Sequence, residues 1–222
     1  MIGKKAIVVA AALAAGGLAA GASAVGVLRY GSPTGARYGS WAPGNAGAVG
    51  AMARLSAPTN VPPEVLATVR RMASVTGGDE AAADASLRLL RSGLGAERSD
   101  FYAFRPSAGR AVCYLVTGRG GVCPTAATSP DRGIEWAFGG GYPSTVDGHP
   151  AEPSSIDGVA SDDVRSLTLT SNGVEIPLEI VNNAFYEEVV GPPSGTPWSL
   201  ELRVAYANRT EKRIPVPDPR SD

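Results

Sequence analysis

Cys113 and Cys123 lie on either side of Thr117-Gly118-Arg119-Gly120-Gly121, and that arrangement confines the chain around them to a β-hairpin. The runs Arg110–Val116 and Val122–Cys123 are β-prone, and a three-residue loop at Thr117–Arg119 sets Val116 opposite Gly120 and Cys113 opposite Cys123. Directly paired Cβ atoms lie ~4.5–5.5 Å apart, so slight closing forms a disulfide. In a cytosolic protein the same pair reads as two reduced, buried thiols, so the compartment decides between the two states.

The N-terminus points to export. Lys4 and Lys5 precede Ala6–Leu28, a run without a single charge, and Ala22-Ser23-Ala24 has the small-x-small pattern that a signal peptidase accepts. The run also exceeds the ~20 residues that cross a bilayer, and Gly17-Leu18-Ala19-Ala20-Gly21 is a helix-pairing pattern, so an uncleaved transmembrane anchor is the rival. Alanine and glycine contribute little insertion energy, which favours cleavage. Residues 1–28 are expected to be a signal peptide or membrane anchor. In both cases the positive-inside rule leaves everything after Leu28 extracytoplasmic, secreted or held at the cell membrane, where the disulfide is the expected state.

Residues 29–58 are rich in Gly, Ala, Ser and Pro and lack helical or strand periodicity, the pattern of a flexible linker reaching ~30 Å. Residues 59–217 read as a single β-rich domain and 218–222 as a disordered tail. The domain opens with two short helices. Pro62-Pro63-Glu64 starts the first, with Val65, Leu66, Val69 and Met72 on one face and Gly77-Gly78 as its stop. Asp79 caps the second, in which Ala83, Leu87 and Leu90 recur at helical spacing before Gly93.

After Asp100 the period becomes two. Phe101–Phe104, Ala111–Val116 and the alternating Ile134, Trp136 and Phe138 are strand-like, and a loop-rich stretch to Pro153 follows. Asn172-Gly173 marks a type I′ hairpin whose register sets Leu169 opposite Ile176, Leu167 opposite Leu178, Thr170 opposite Glu175 and Ser166 opposite Glu179. A three-residue loop at Ala207–Arg209 sets Leu202 opposite Ile214 and Leu200 opposite Val216. Hairpins with one apolar face need a second layer, so the expected fold is mainly β with two short N-terminal helices, an α+β small sandwich or helix-covered sheet.

Chemistry is sparse. A formal net charge of −1 without a basic stripe excludes the footprint of nucleic-acid binding, and membrane contact is expected only through residues 6–28. His149 is the one histidine, no Gly-x-Ser-x-Gly elbow presents a serine, and no catalytic residue, metal or cofactor is expected. Asp157, Asp162 and Asp163 offer oxygen ligands, yet Asp157-Gly158 reads as a turn and Asp162-Asp163 as solvated residues before a strand. Glu187 and Glu188 are adjacent and so fall on opposite strand faces, unsuited to a paired acid and base. The aromatics Trp136, Phe138 and Tyr142 beside Gly139-Gly140-Gly141 are the one candidate groove for sugar or peptide, against the commoner role of strand aromatics as core.

The runs Phe101-Tyr102-Ala103-Phe104-Arg105, Gly109-Arg110-Ala111-Val112-Cys113 and Gly120-Gly121-Val122-Cys123 resemble a group of exported proteins of high-GC Gram-positive bacteria. Gly158–Leu167 and Asn182-Asn183-Ala184-Phe185-Tyr186 continue the likeness, which spans residues 87–206. The resemblance implies export and a shared Cys-hairpin domain, with no activity attached to any residue. The expectation is therefore a non-catalytic interaction module for a protein, peptide or glycan of the cell envelope. The alternative is an exported, hydrolase-like enzyme using Asp147, His149, Asp157 and Asp162, which requires those residues to converge.

Overall fold

The computed structural model describes residues 27–28, 37–39, 49–107, 112–123, 133–140, 144–146, 149–151, 153–193 and 196–218. In chain order the elements are β1 (Val27–Leu28), β2 (Arg37–Gly39), α1 (Ala51–Arg54), α2 (Pro63–Val75), α3 (Glu80–Ser86), β3 (Arg88–Leu94), β4 (Ser99–Phe104), β5 (Cys113–Val116), β6 (Gly120–Val122), β7 (Ile134–Gly140), β8 (Ser144–Val146), β9 (His149–Ala151), β10 (Pro153–Ala160), β11 (Val164–Ser171), β12 (Val174–Leu178), β13 (Ile180–Val181), β14 (Ala184–Val190), β15 (Leu200–Tyr206) and β16 (Glu211–Val216). The strands form three antiparallel sheets, β1-β6-β5-β4-β3, β13-β14-β10-β7-β2 and β12-β11-β15-β16, with a separate β8-β9 ribbon.

Three apolar clusters stack these parts into four layers. Val65, Val69 and Met72 of α2 and Ala83 of α3 pack on Tyr102, Phe104 and Leu115 of the first sheet, beside Cys113 and Cys123. The other face of that sheet, with Phe101, Tyr114 and Val116, meets Ala137, Val159 and Tyr186 of the second sheet. The second sheet's opposite face, with Ile134, Trp136, Phe138 and Phe185, meets Leu167, Leu169, Leu202 and Ile214 of the third. The middle sheet is thus covered on both sides, as the unbroken burial of residues 133–139 records.

The hairpin registers follow from turn chemistry. Val116 pairs with Gly120, and Cys113 and Cys123 form the disulfide, with Cα atoms 4.3 Å apart. Leu167 faces Leu178 and Leu169 faces Ile176 across Asn172 and Gly173, both with positive φ as a type I′ turn requires. That ladder stops at Leu167 and Leu178, so the expected pair of Ser166 with Glu179 is not formed, while on the other edge of β11 Ser166 pairs with Ala205. Leu200 faces Val216 and Leu202 faces Ile214, with Arg209 in the left-handed region closing the loop.

Two expectations are corrected. The second helix ends at Ser86, and residues 88–94 are a strand paired with β4, its register slipping between Leu89 and Arg91 and again between Arg91 and Leu94. The helix-like spacing joins residues of opposite strand faces, since Leu87 packs with α2 and α3 while Leu90 and Leu94 face the second sheet. Asp157-Gly158 lies inside β10, between β7 and β14, rather than in a turn. Glycine serves close approach there, because a Cβ would overlap the Glu135 carbonyl oxygen and the Phe185 ring. The expected linker 29–58 includes β2 and α1, and Val49, Ala51 and Met52 are buried in the core between the first two sheets. Asp218, assigned to the tail, accepts a hydrogen bond from Trp198 N at 3.2 Å. The expected signal or anchor segment lies outside the described residues except for Val27–Leu28, which pair with β6. Among the described residues no helix is long and apolar enough to cross a membrane.

Candidate functional site

The aromatic trio does not make a described groove. Trp136 and Phe138 are 1% and 0% exposed in the core between the second and third sheets, because the third sheet covers the face they occupy. Tyr142 lies outside the described residues. The carboxylates also fail to gather. Asp157 is buried inside β10, while Asp162 sits in the exposed turn beyond the end of that strand at Ala160. His149 is placed by its backbone in β9, and Asp147 lies outside the described residues. No group of three or more metal-ligating side chains forms among the described residues.

Asp162 has a structural task. Its Oδ1 accepts from Gly50 N at 2.9 Å and from Asn183 Nδ2 at 2.8 Å. Asn183 Oδ1 in turn accepts from Ala51 N at 3.0 Å, and its Nδ2 donates to Ala160 O at 2.9 Å. Together they hold α1, too short to be stable by itself, against the second sheet.

Two further polar features lie between the first and second sheets. Arg119, at the tip of the Cys hairpin, donates to Ser155 Oγ and to Glu188 Oε1 at 3.2 Å, and its guanidinium lies 5.2 Å from the Tyr186 ring centroid. Tyr186 Oη donates to the same Glu188 oxygen at 3.0 Å. Burial raises the Tyr186 phenol above its ordinary value, with Arg119 partly opposing. Glu135 is fully buried, and neither of its carboxyl oxygens has a partner among the described residues. Desolvation pushes its carboxyl well above the ordinary carboxylate range and favours the protonated acid.

An open concavity among the described residues lies elsewhere, at one end of the first sheet. A shallow groove of about 310 Å³ is lined by Met52 and Ala53 of α1, Ala82 and Ala85 of α3, and the cations Arg88 and Arg105. Arg88 pairs with Ala103, so Arg105, two residues further along, stands diagonally from it on the same face. Ser86, also in the lining, fixes the end of this pairing: its Oγ accepts from Arg105 N at 2.8 Å and donates to Arg105 O at 3.1 Å. Sequence reasoning missed this site because it placed Leu87 and Leu90 in a helix, and the two arginines become neighbours only when residues 88–94 form a strand. No known protein-family model, curated protein or solved structure matches the chain.

Proposed function

We propose that this chain is a non-catalytic interaction module of the cell envelope, exported and either released or held at the membrane by residues 6–28, that captures a small ligand or a protein, peptide or glycan partner. The observation that carries this reading is the chemistry of the open groove, whose described lining supplies two guanidinium groups, one hydroxyl and aliphatic walls, and among the described residues no carboxylate. The remaining polar side chains described above are engaged in holding layers together or, for Glu135, are sealed from solvent. The charge-free N-terminal run and the likeness to exported Cys-hairpin proteins support the location.

The test has two parts. Intact mass of the protein recovered from culture medium and from washed membranes, with and without reductant, reports processing and the disulfide. Sedimentation of the purified protein with isolated envelope fractions reports binding, alongside turnover assays on ester, peptide and glycoside substrates. Saturable envelope binding without turnover is the expected result. Turnover of any of these substrates, or a cytoplasmic protein with reduced cysteines, overturns the reading.

A further inference from the structure

We infer that the third sheet is closed to strand addition at both of its edges, so that neither a second copy of this chain nor an extended peptide can lengthen it. The inference goes beyond the binding-module reading and holds whatever that module captures. It starts from hydrogen-bond parity. Along an edge strand of an antiparallel sheet, alternate residues bond to the inner neighbour, and the residues between them point N–H and C=O outward. In β12 the Asn172-Gly173 turn makes Ser171 and Val174 a bonded pair. Ile176 and Leu178 therefore also bond to β11, and Glu175 and Pro177 face outward. On the opposite edge Tyr206 N donates to Thr210 O at 2.9 Å, which sets Lys212, Ile214 and Val216 toward β15. Glu211, Arg213 and Pro215 are left facing outward, and Pro217, just past the strand end, continues the phase.

Every outward position of β12 and β16 is thus a proline or a charged residue. Pro177, Pro215 and Pro217 are exposed and have no N–H to offer an incoming strand. Glu175, Glu211 and Arg213, also exposed, place charged side chains beside the outward N–H groups that remain. Proline is depleted in strands, and three exposed prolines answer no demand of core packing. The demand is geometric. β12 and β16 lie at opposite edges of one sheet, so pairing β12 of one copy with β16 of another would repeat without closing and grow a filament. The outer strand of the first sheet, β3, carries no proline; two register shifts distort it, and Asn182 Nδ2 occupies the Leu90 carbonyl at 3.0 Å. A partner that meets the third sheet must therefore be held by side chains on its outer face, not by main-chain strand addition.

Sedimentation velocity and amide hydrogen exchange over a wide concentration range test this on the full chain and on Pro177→Thr/Pro215→Thr/Pro217→Thr, which restores three N–H groups on an exposed, polar face. In the unaltered protein the Glu175, Glu211 and Arg213 amides should exchange without protection at every concentration. The triple variant should melt cooperatively, and its average mass should rise roughly twofold or more above that of the unaltered protein, with new protection at those three amides that dilution reverses. Pro177→Thr alone opens one edge, whose pairing with its own copy closes as a dimer, and it reads the β12 edge even where the triple variant does not fold. Folded variants that match the unaltered protein in mass at every concentration overturn the inference. So does slow exchange at Glu175, Glu211 or Arg213 in the unaltered protein, which would show its edges already paired.

Discussion

The two interiors on either side of the middle sheet are built from different chemistry. Against the third sheet it presents Ile134, Trp136, Phe138, Ile156 and Phe185, and the facing residues are almost all Leu, Ile and Val. Against the first sheet it presents Ala137, Val159 and Ala184 interleaved with Glu135, Ser155, Asp157 and Tyr186, with Asn183 at its end; hydrogen bonds such as Tyr114 Oη to Asp157 O at 3.1 Å tie this layer, while the Glu135 carboxyl has no partner among the described residues. An apolar interior gains from area and shape and tolerates small shifts in register. A polar interior gains little net energy per bond but penalises every unmade one, so it fixes how the two sheets and α1 sit on each other.

The largest expected effect probes the apolar side. Trp136 is one of the largest fully buried side chains, and Phe138 beside it meets Trp198 edge to face at 5.3 Å. Trp136→Ala should cost about 3–5 kcal/mol in chemical denaturation, the cavity adding to the lost transfer energy. A loss below about 1 kcal/mol would mean that the second and third sheets are not packed through this residue, and the contrast between interiors would fail.

The polar side responds through its clamp. Removing the Asn183 side chain strips Ala51 N and Ala160 O of their partner, and its φ of 66° adds backbone strain for alanine. Asn183→Ala should cost about 1–3 kcal/mol, and Asn183→Gly, which tolerates that φ, isolates the hydrogen-bond part. Limited proteolysis after Arg54 should accelerate in both variants. Unchanged cleavage would show that α1 is held by its apolar residues alone.

Legibility divides along the same line. The Asn172-Gly173 hairpin and the β15–β16 pair were readable because the third sheet has one buried and one solvated face, and alternation then marks the register. Strand β10 was hidden, since it is buried on both faces and its Asp157-Gly158 imitates a turn while serving close packing against Phe185. Strand β3 was hidden because leucines on both of its faces are buried, Leu87 against the helices and Leu90 against the second sheet, and their spacing of three imitates a helix. The segment Val49–Arg54 looked like linker because small residues dominate it, although Asn183 and Asp162, more than a hundred positions away, hold it. The Arg88–Arg105 pair inherits the same difficulty, because its proximity is a product of pairing between β3 and β4.

Glu135 sharpens the comparison through pH. Its folded pKa lies above the ordinary 4.5, so the folded state binds more protons than the unfolded state in the window between the two values. The stability that its protonated form allows is present below about 4.5 and is lost as pH rises through the raised folded value. Glu187, raised by partial burial and by neighbouring Glu188, adds in the same direction. Glu135→Leu removes the buried acid and should gain about 1–2 kcal/mol at pH 8, with little gain at pH 4. A variant that gains nothing at pH 8 would mean that Glu135 has a partner in the folded protein.

The smallest effect comes from setting one Arg–Glu pair against another. Arg203 and Glu175 pair across the outer face of the third sheet at 3.0 Å, with Glu175 58% exposed. Arg119 and Glu188 pair at 3.2 Å with side chains 19% and 39% exposed, against 30% and 58% for Arg203 and Glu175, and Arg119 also engages Ser155 and the Tyr186 ring. Solvent screening and side-chain entropy hold the outer pair to about 0.5 kcal/mol in a double-mutant cycle, fading further in 1 M salt. The inner pair should retain a coupling of about 1 kcal/mol that salt barely changes. Equal couplings with equal salt dependence would mean that Arg119 is as wet as Arg203 and that its contacts to Ser155 and Tyr186 add nothing to the pair.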